Sequence, residues 1–226
     1  MIPPSYVDNF YDDPDPIVNT AWGLKYHGPK SDENFAGFRT DCISSINYEF
    51  FSFSVNRFLS CFFEIQSDTR WKASVNFHKN YCHDQYNPHH PFNLGWVHVD
   101  DVEQFRTIAG VIYLNKNTYP NSGTSIYNLN GDYDDSFEWG LRSFNRGTSE
   151  DEHLYTNLHF NHNKQFDLAV EFKNRYNRMV AYDGHEWHSQ SCLWVPGECR
   201  LTQLFFINFI SDIPPLKRYH PSSLQS

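Results

Sequence analysis

The sequence predicts a mainly β protein with helices near its N-terminus. After Trp71, short runs of strand-forming residues alternate with turns such as Pro120-Asn121-Ser122 and Pro196-Gly197. Many short strands separated by regular turns are typical of a β-sandwich or a jelly roll. The predicted strands are 72–79, 95–100, 107–114, 123–128, 178–182, 188–195 and 199–210.

Two helices are predicted before the strands. Asp13-Pro14-Asp15-Pro16 indicates a helix start, because an acidic residue can cap the first turn and proline is tolerated there. This helix is expected to end near Tyr26, and 27–46 to form an irregular connection. Between 47 and 65, apolar residues recur at helical spacing, which predicts a helix packed on a sheet. The apolar positions are Phe50, Phe51, Val55, Phe58, Leu59 and Phe62.

We expect the chain of 226 residues to form one domain, because this length suits a single all-β or mixed domain. Within 1–226, residues 1–70 would form a helical support and 71–226 the β core. Aromatic residues make up 18% of the chain, which is ample material for that core. The segment 129–177 is polar and too long for a simple loop. We expect it to be an insertion that forms a mobile lid over a pocket.

Charge, cysteine content and hydropathy restrict the partners. The formal net charge of -9 argues against tight binding to nucleic acid, which needs clustered Lys and Arg. The five cysteines are widely spaced and form no C-x-x-C pair, which argues against structural zinc and a disulfide framework. The N-terminus has no signal-peptide pattern, and no apolar run approaches the ~18 residues of a membrane span. We expect a soluble, cytoplasmic protein without a membrane partner; its oligomeric state stays open.

His98-Val99-Asp100 is the first candidate site motif. Residues two apart on a strand point to the same face, so the imidazole of His98 and the carboxylate of Asp100 could meet one cation. A tripeptide of this kind also arises by chance, and an exposed strand bearing a polar pair would show the same residues. The motif therefore needs a third ligand.

His188 is the candidate for that ligand. Two histidines and one carboxylate on one side of a metal form the facial triad of non-haem Fe(II) oxygenases, which leaves positions open for cosubstrate and O₂. His185 is the alternative, but it lies in a turn that contains Gly184, whereas His188 opens a predicted strand. We therefore predict His98, Asp100 and His188 as catalytic metal ligands.

Arg200 is a charged residue at the start of an otherwise apolar, aromatic strand. Burying an unpaired guanidinium is costly, so it requires a partner. A carboxylate fits its planar fork best, and that carboxylate belongs either to a protein side chain or to a bound dicarboxylate. Thr202 has the same strand parity as Arg200, so its hydroxyl could point to the same ligand or simply pack.

Six sequence elements occur in a characteristic order. They are His98-Val99-Asp100, Val111-Ile112-Tyr113-Leu114-Asn115, Asn121-Ser122-Gly123-Thr124-Ser125, Asn177-Arg178-Met179-Val180-Ala181-Tyr182-Asp183-Gly184, His188 and Arg200. In this order and spacing, residues 96–209 resemble the prolyl-4-hydroxylase-like branch of the 2-oxoglutarate/Fe(II)-dependent oxygenases. Residues 8–15 also resemble the opening of phage and bacterial members. Two departures are Ser122-Gly123, where the family commonly has Gly-Gly, and the long insertion.

The resemblance implies a double-stranded β-helix, a cupin-like jelly roll. It implies Fe(II), 2-oxoglutarate as cosubstrate and O₂, with ascorbate as a reductant. Arg200 would bind the distal carboxylate of 2-oxoglutarate, and Tyr113 would supply a hydroxyl beside Arg200. Alternatively, Tyr113 is an aromatic side chain that only packs in the core.

The function that the resemblance implies is a dioxygenase that hydroxylates a peptidyl (prolyl-type) or free amino-acid substrate and releases succinate and CO₂. A carboxylate at position 100 favours hydroxylation over halogenation, because a halide would need that coordination position. One alternative is a nucleobase-modifying oxygenase, against which stand the net charge and the absence of arginine between Arg200 and Arg218. The other is a non-catalytic β-helix protein that binds a metal, which requires Arg200 to be paired internally or the triad to be spoiled.

Overall fold

Two antiparallel sheets form the framework of the protein. The computed structural model describes residues 2–30, 35–100, 107–145, 151–197, 199–210 and 212–217. The strands within these ranges are β1 (Ser5–Val7), β2 (Phe38–Arg39), β3 (Trp71–Asn80), β4 (Thr107–Tyr113), β5 (Thr124–Leu129), β6 (Phe166–Phe172), β7 (Met179–Asp183), β8 (Trp187–Gln190) and β9 (Arg200–Phe209).

The larger sheet has the strand order β1-β7-β4-β9-β3-β2, and the smaller sheet has the order β6-β5-β8. The longest ladder joins β3 to β9, from Trp71 opposite Phe209 to Asn80 opposite Arg200. Side chains of both sheets pack together between them, including Val111 from β4 and Ile126 from β5. The chain is therefore mostly antiparallel β-structure with a few helices, as predicted.

Five α-helices accompany the sheets in the part of the chain that the structure describes. They are α1 (Asp15–Gly23), α2 (Ile43–Ile46), α3 (Tyr48–Phe62), α4 (Ser136–Asn145) and α5 (Glu152–Asn163). Short 3₁₀ helices lie at Pro91–Asn93 and Pro120–Ser122. Among the described residues, no helix combines the length and the apolar character that crossing a bilayer would require.

Helix α3 confirms the predicted helix packed on a sheet. It begins after Asn47, whose side chain accepts a hydrogen bond from the Phe50 amide at 2.9 Å and so caps the first turn. Its apolar face is buried on the outer face of the larger sheet, where Phe58 stacks on Phe205 with ring centroids 5.3 Å apart. Burying this face is the main driving force that holds the helix in place.

Successive residues of β9 serve opposite faces of the larger sheet, because side chains alternate along a strand. Leu201 and Phe205 point outward into the core under α3. Leu204 points inward toward the smaller sheet, and Arg200 and Thr202 share its parity. The inward face of β9 therefore carries the polar residues that the sequence analysis selected.

The structure corrects the boundaries predicted near the N-terminus. Pro14, which makes no side-chain capping bond, precedes α1, and the helix ends at Gly23 because Leu24 already has an extended backbone. The segment 27–46 is not an irregular connection alone. It contains β2, which pairs with β3, and the short helix α2. Residues 1–70 thus contribute strands to the larger sheet besides helices.

The predicted strand 95–100 is wrong as a regular strand. Its backbone pairs with β8 and the residues that follow β8 only through isolated bridges, Leu94 to Cys192 and His98 to His188. Among the described residues, no strand pairs with its other edge. The predicted strand 188–195 is also shorter, since β8 ends at Gln190.

The segment 129–177 has regular structure over much of its length, and its mobility over the pocket stays a prediction. It contains α4, α5 and β6, and β6 forms an edge of the smaller sheet by pairing with β5. Residues 166–172 are therefore scaffold. Within this segment, Arg142 and Phe144 of α4 and Tyr155 of α5 border the main cavity, so the cover that we predicted reduces to these two helices.

Close packing between α3 and β4 can be tested at Gly110. A Cβ atom there would lie 2.4 Å from the Phe58 ring and 3.1 Å from the Met179 side chain. We expect Gly110→Ala to lower the free energy of unfolding by about 1–3 kcal/mol, as overpacking does. Gly23→Ala is the control, because a Cβ at Gly23 meets nothing within 4 Å. Urea unfolding curves that show equal effects for both variants would contradict the expectation.

Asp8 connects the N-terminal strand to β7 through Arg178, whose Nε and Nη2 donate to its carboxylate at 2.7 and 3.0 Å. These hydrogen bonds hold the pKa of Asp8 below its usual value of 3.8. Their stabilisation is therefore present above that pH and is lost as the pH falls through the lowered pKa. Asp8→Asn should cost about 1 kcal/mol at pH 7, and the difference from the natural protein should shrink at acidic pH. Asp68→Asn in an exposed turn is the control in a pH series of thermal unfolding.

Candidate metal centre

A large cavity opens between the two sheets, with a volume of about 1150 Å³. The inward faces of β3, β4, β7 and β9 form one wall, and β5 and β8 form the other. Helices α4 and α5 border it from the side. His98, Asp100, His188 and Arg200 all line this cavity, so the structure brings the four main predicted residues together.

His98, Asp100 and His188 form a compact group. One ligand atom from each lies within 4.8 Å of the others, and His188 Nε2 is 3.6 Å from Asp100 Oδ1. The backbone accounts for this proximity. The His98 amide donates to the His188 carbonyl at 2.9 Å, and the His188 amide donates back at 2.8 Å. The antiparallel pair thus places two imidazoles side by side, with centroids 4.5 Å apart.

Backbone carbonyls fix the tautomer of both histidines. His98 Nδ1 faces the Trp96 carbonyl at 3.0 Å, and His188 Nδ1 faces the Glu186 carbonyl at 2.8 Å. A carbonyl only accepts hydrogen bonds, so each Nδ1 carries the proton. In its neutral form each imidazole therefore presents the Nε2 lone pair, which is how metal-binding histidines are commonly held.

Burial and mutual charge set the protonation of the group. Burial, and then the charge of His188, lower the pKa of His98 to about 4, so His98 is neutral near pH 7. Burial raises the pKa of Asp100, but the neighbouring His188 outweighs it and the pKa is lowered. Burial likewise lowers the pKa of His188, yet the Asp100 carboxylate raises it on balance. Asp100 is thus an ionised carboxylate beside two imidazoles.

Asp100 Oδ2 is buried and has no hydrogen-bond partner among the described residues. An unsatisfied carboxylate oxygen in the interior is costly, unless a cation occupies the adjacent space. Two imidazole nitrogens and one carboxylate oxygen are the donor set of the facial triad of non-haem Fe(II). The three residues therefore fit a divalent metal with open coordination positions.

His185 does not reach this group. Its side chain is 54% exposed, and its Nδ1 lies 3.2 Å from Asp183 Oδ1 in the turn between β7 and β8. The geometry thus favours His188 over the neighbouring histidine that the sequence left as an alternative.

Arg200 lies on the same cavity wall and is only 2% exposed. Its Nε donates to the Ser122 carbonyl at 3.0 Å, and its guanidinium carbon lies 5.5 Å from the Tyr113 ring centroid. Among the described residues no carboxylate pairs with it. Burial lowers the pKa of Arg200 below its ordinary value, which reflects the cost of holding this cation without an anion.

Tyr113 and Thr202 lie beside Arg200 but do not line the cavity. The Tyr113 hydroxyl donates to Thr124 Oγ1 at 2.7 Å, which joins the larger sheet to the smaller one, and Thr124 does line the cavity. Thr202 Oγ1 is buried without a partner in the described chain. Direct contact of either hydroxyl with a ligand stays a prediction.

Sequence reasoning missed other residues of the cavity. Arg39 of β2 reaches it with its guanidinium 4.1 Å from the Phe35 ring centroid, and His78 of β3 lines it beside Arg39. Two-residue strand β2 has no periodicity that a sequence could reveal. In contrast, the inward position of His78 follows from its register opposite Thr202.

The model of a protein family of unknown function, DUF6445, matches residues 3–194. The chain belongs to the DUF6445 family. A search of curated proteins finds no match to the sequence.

Solved structures show which fold this DUF6445 chain shares. HygX from Streptomyces hygroscopicus, solved with nickel and 2-oxoglutarate bound, aligns with a TM-score of 0.50 at 11% identity over 91% of this chain and 82% of HygX. A 2OG-Fe(II) oxygenase family oxidoreductase from Burkholderia pseudomallei has a TM-score of 0.47 at 7% identity, covering 91% and 84%. A Pseudomonas putida prolyl-4-hydroxylase has a TM-score of 0.44 at 13% identity, covering 91% of each chain. At these identities the HygX alignment shows a shared fold and nothing more.

The candidate ligands can be tested by metal titration. We expect Asp100→Ala and His188→Ala to weaken Co²⁺ binding by more than about 100-fold, because even hydrogen-bond partners of ligands contribute about 10–100-fold. His185→Ala should retain the affinity of the natural protein. Calorimetric titration of purified, folded variants measures this. Loss of binding in His185→Ala with full binding in His188→Ala would reverse the assignment.

Proposed function

We propose that this DUF6445 protein is an Fe(II)- and 2-oxoglutarate-dependent dioxygenase built on a double-stranded β-helix. The observation that carries the proposal is the buried, carboxylate-free guanidinium of Arg200 in the same cavity as His98, Asp100 and His188. A facial triad alone could hold many divalent metals. A triad together with an unpaired buried cation fits a dicarboxylate cosubstrate that chelates the metal at one end and needs a cation at the other.

The chain's residues divide the work of holding the cofactors. His98, Asp100 and His188 would bind Fe(II), which supplies the centre at which O₂ is activated while 2-oxoglutarate is oxidised. Arg200 would bind the distal carboxylate in the fork geometry that a guanidinium offers, and the Ser122 carbonyl fixes its Nε. The hydrogen bond between the Tyr113 and Thr124 hydroxyls would hold these two groups in place beside Arg200.

The reaction would place one oxygen atom of O₂ in a substrate C–H bond and the other in succinate, as 2-oxoglutarate loses CO₂. The apolar residues Val111, Leu204 and Phe206 line the cavity beside the polar groups. They would keep bulk water away from the reacting atoms, which strengthens electrostatic contacts there. Ascorbate would serve as a reductant that restores Fe(II).

The cavity exceeds the volume of most small-molecule sites, about 300–1,000 Å³, and so has room for a substrate beside the cosubstrate. We propose a peptidyl residue of the prolyl type or a free amino acid as the substrate. Asp100 would occupy the coordination position that a halogenase needs for its halide, so the proposed outcome is hydroxylation.

A non-catalytic metal-binding protein would need either an internally paired Arg200 or a spoiled triad. Neither feature is found among the described residues. Succinate formation from 2-oxoglutarate with Fe(II) and ascorbate tests the proposal directly, followed by a screen of prolyl peptides and free amino acids. Complete absence of succinate from metal-loaded protein, with and without these substrates, would contradict it.

Arg200 provides the sharper prediction. Arg200→Ala should weaken 2-oxoglutarate binding by about thirty-fold to several thousand-fold, because losing a buried charged partner costs about 2–5 kcal/mol. Co²⁺ binding should be retained. Arg200→Lys should recover only part of the affinity, since a point charge does not reproduce the fork.

Arg175→Ala is the control, because Arg175 is exposed and pairs with Asp8 outside the cavity. Calorimetric titration of 2-oxoglutarate into Co²⁺-loaded protein gives the affinities. A folded Arg200→Ala variant with unchanged 2-oxoglutarate affinity would remove the carboxylate-binding role.

A further inference from the structure

The segment 94–100 carries two of the three candidate ligands, yet its backbone pairs with a neighbouring segment of the chain along one edge only. That edge faces β8 and its flanks, through the His98–His188 pair and the Asp100 amide, which donates to the Gly184 carbonyl at 3.1 Å. Gly95 allows the close approach, since a Cβ there would lie 1.8 Å from the Gln190 carbonyl oxygen. The opposite edge must find other partners, because buried backbone groups need hydrogen bonds.

Side chains of α5 supply these partners. The Val97 amide donates to Asn163 Oδ1 at 3.0 Å, and the Val97 carbonyl accepts from His162 Nε2 at 2.5 Å. The Gly95 carbonyl accepts from His159 Nε2 at 2.8 Å. The Leu94 carbonyl accepts from the Tyr155 hydroxyl at 3.0 Å. The helix therefore makes the contacts that an adjacent strand would make in a regular sheet.

The four residues lie at helix positions i, i+4, i+7 and i+8, so they share one face of α5. His162 is fully buried and packs edge-on against the Trp96 ring, with centroids 5.8 Å apart. Packing and hydrogen bonds on this face of α5 together hold the side chains in defined rotamers, whereas a hydrogen bond at the protein surface alone does not.

We propose that α5 positions the metal ligands through His159, His162 and Asn163. The proposal rests on the proposed function, because it concerns the same metal centre. The peptide groups held by α5 are those on either side of Trp96, and the Trp96 carbonyl accepts from His98 Nδ1. Fixing Gly95 and Val97 therefore fixes the carbonyl that orients the His98 imidazole. None of these α5 residues belongs to the group of His98, Asp100 and His188, so we assign them as positioning residues and not as ligands.

The test compares Co²⁺ binding by the full chain and three variants. Asn163→Leu removes both polar functions at similar size, whereas Asn163→Asp keeps the acceptor for the Val97 amide. His153→Ala is the matched control, because His153 is exposed on the same helix. We expect the Co²⁺ dissociation constant to rise about 10–100-fold in Asn163→Leu, with partial recovery in Asn163→Asp and no change in His153→Ala.

Two further readouts separate positioning from stability. The d–d absorption spectrum of bound Co²⁺ should change in Asn163→Leu, because the geometry of the ligands is altered. Hydrogen exchange of the Val97 amide in metal-free protein should accelerate while core amides of β4 and β9 keep their protection. His162→Phe serves as a second variant if Asn163→Leu does not fold, since it keeps the ring and removes only the donor.

A lower melting temperature with an unchanged Co²⁺ affinity and spectrum in folded Asn163→Leu and His162→Phe would overturn the proposal. Failure of the natural protein to bind Co²⁺ would overturn the proposed function together with this inference. Tight binding by the natural protein that is lost in His188→Ala but kept in the α5 variants would overturn this inference alone.

Discussion

The two backbone hydrogen bonds between His98 and His188 join an irregular segment to the smaller sheet. Without them, the first two candidate ligands and the third would belong to separate parts of the chain. Strand β8 carries His188 on one side of this pair. On the other side, Gly95 permits the irregular segment to approach β8 closely. The three candidate ligands are therefore brought together by isolated bridges and single backbone hydrogen bonds, and not by an extended ladder.

Two charged groups of this cavity are buried with incomplete pairing in the part of the chain that the structure describes. Asp100 has a buried oxygen without a partner, and Arg200 has a buried guanidinium without a carboxylate among the described residues. Two opposite charges in one cavity would ordinarily pair with each other. Under the proposed function each serves a different ligand group, the metal for Asp100 and a carboxylate for Arg200. Burying these two charged groups costs folding free energy, and the apolar packing of α3 on the outer face of the larger sheet offsets that cost.

Much of this arrangement could be predicted from periodicity and parity. Helical spacing identified α3, and two-residue alternation placed His98 with Asp100 and Arg200 with Thr202 on common faces. The segment 95–100 was predicted as a strand because its local pattern is extended, and a local pattern does not report whether a neighbouring strand exists. The role of α5 was missed for a related reason. The sequence around His159 and His162 does not reveal their contacts, because their partners are backbone groups about 65 residues away, as His162 to Val97 shows.

The alternation along β9 has a consequence for how the protein can fail. Arg200, Thr202 and Leu204 face the cavity, while Leu201, Gln203 and Phe205 face α3. A register slip of one residue against β3 and β4 would exchange these two sets. The guanidinium would then enter the apolar layer under α3, and leucine and phenylalanine would fill the cavity. A slip of one residue would therefore disrupt the cavity lining and the packing under α3 at the same time.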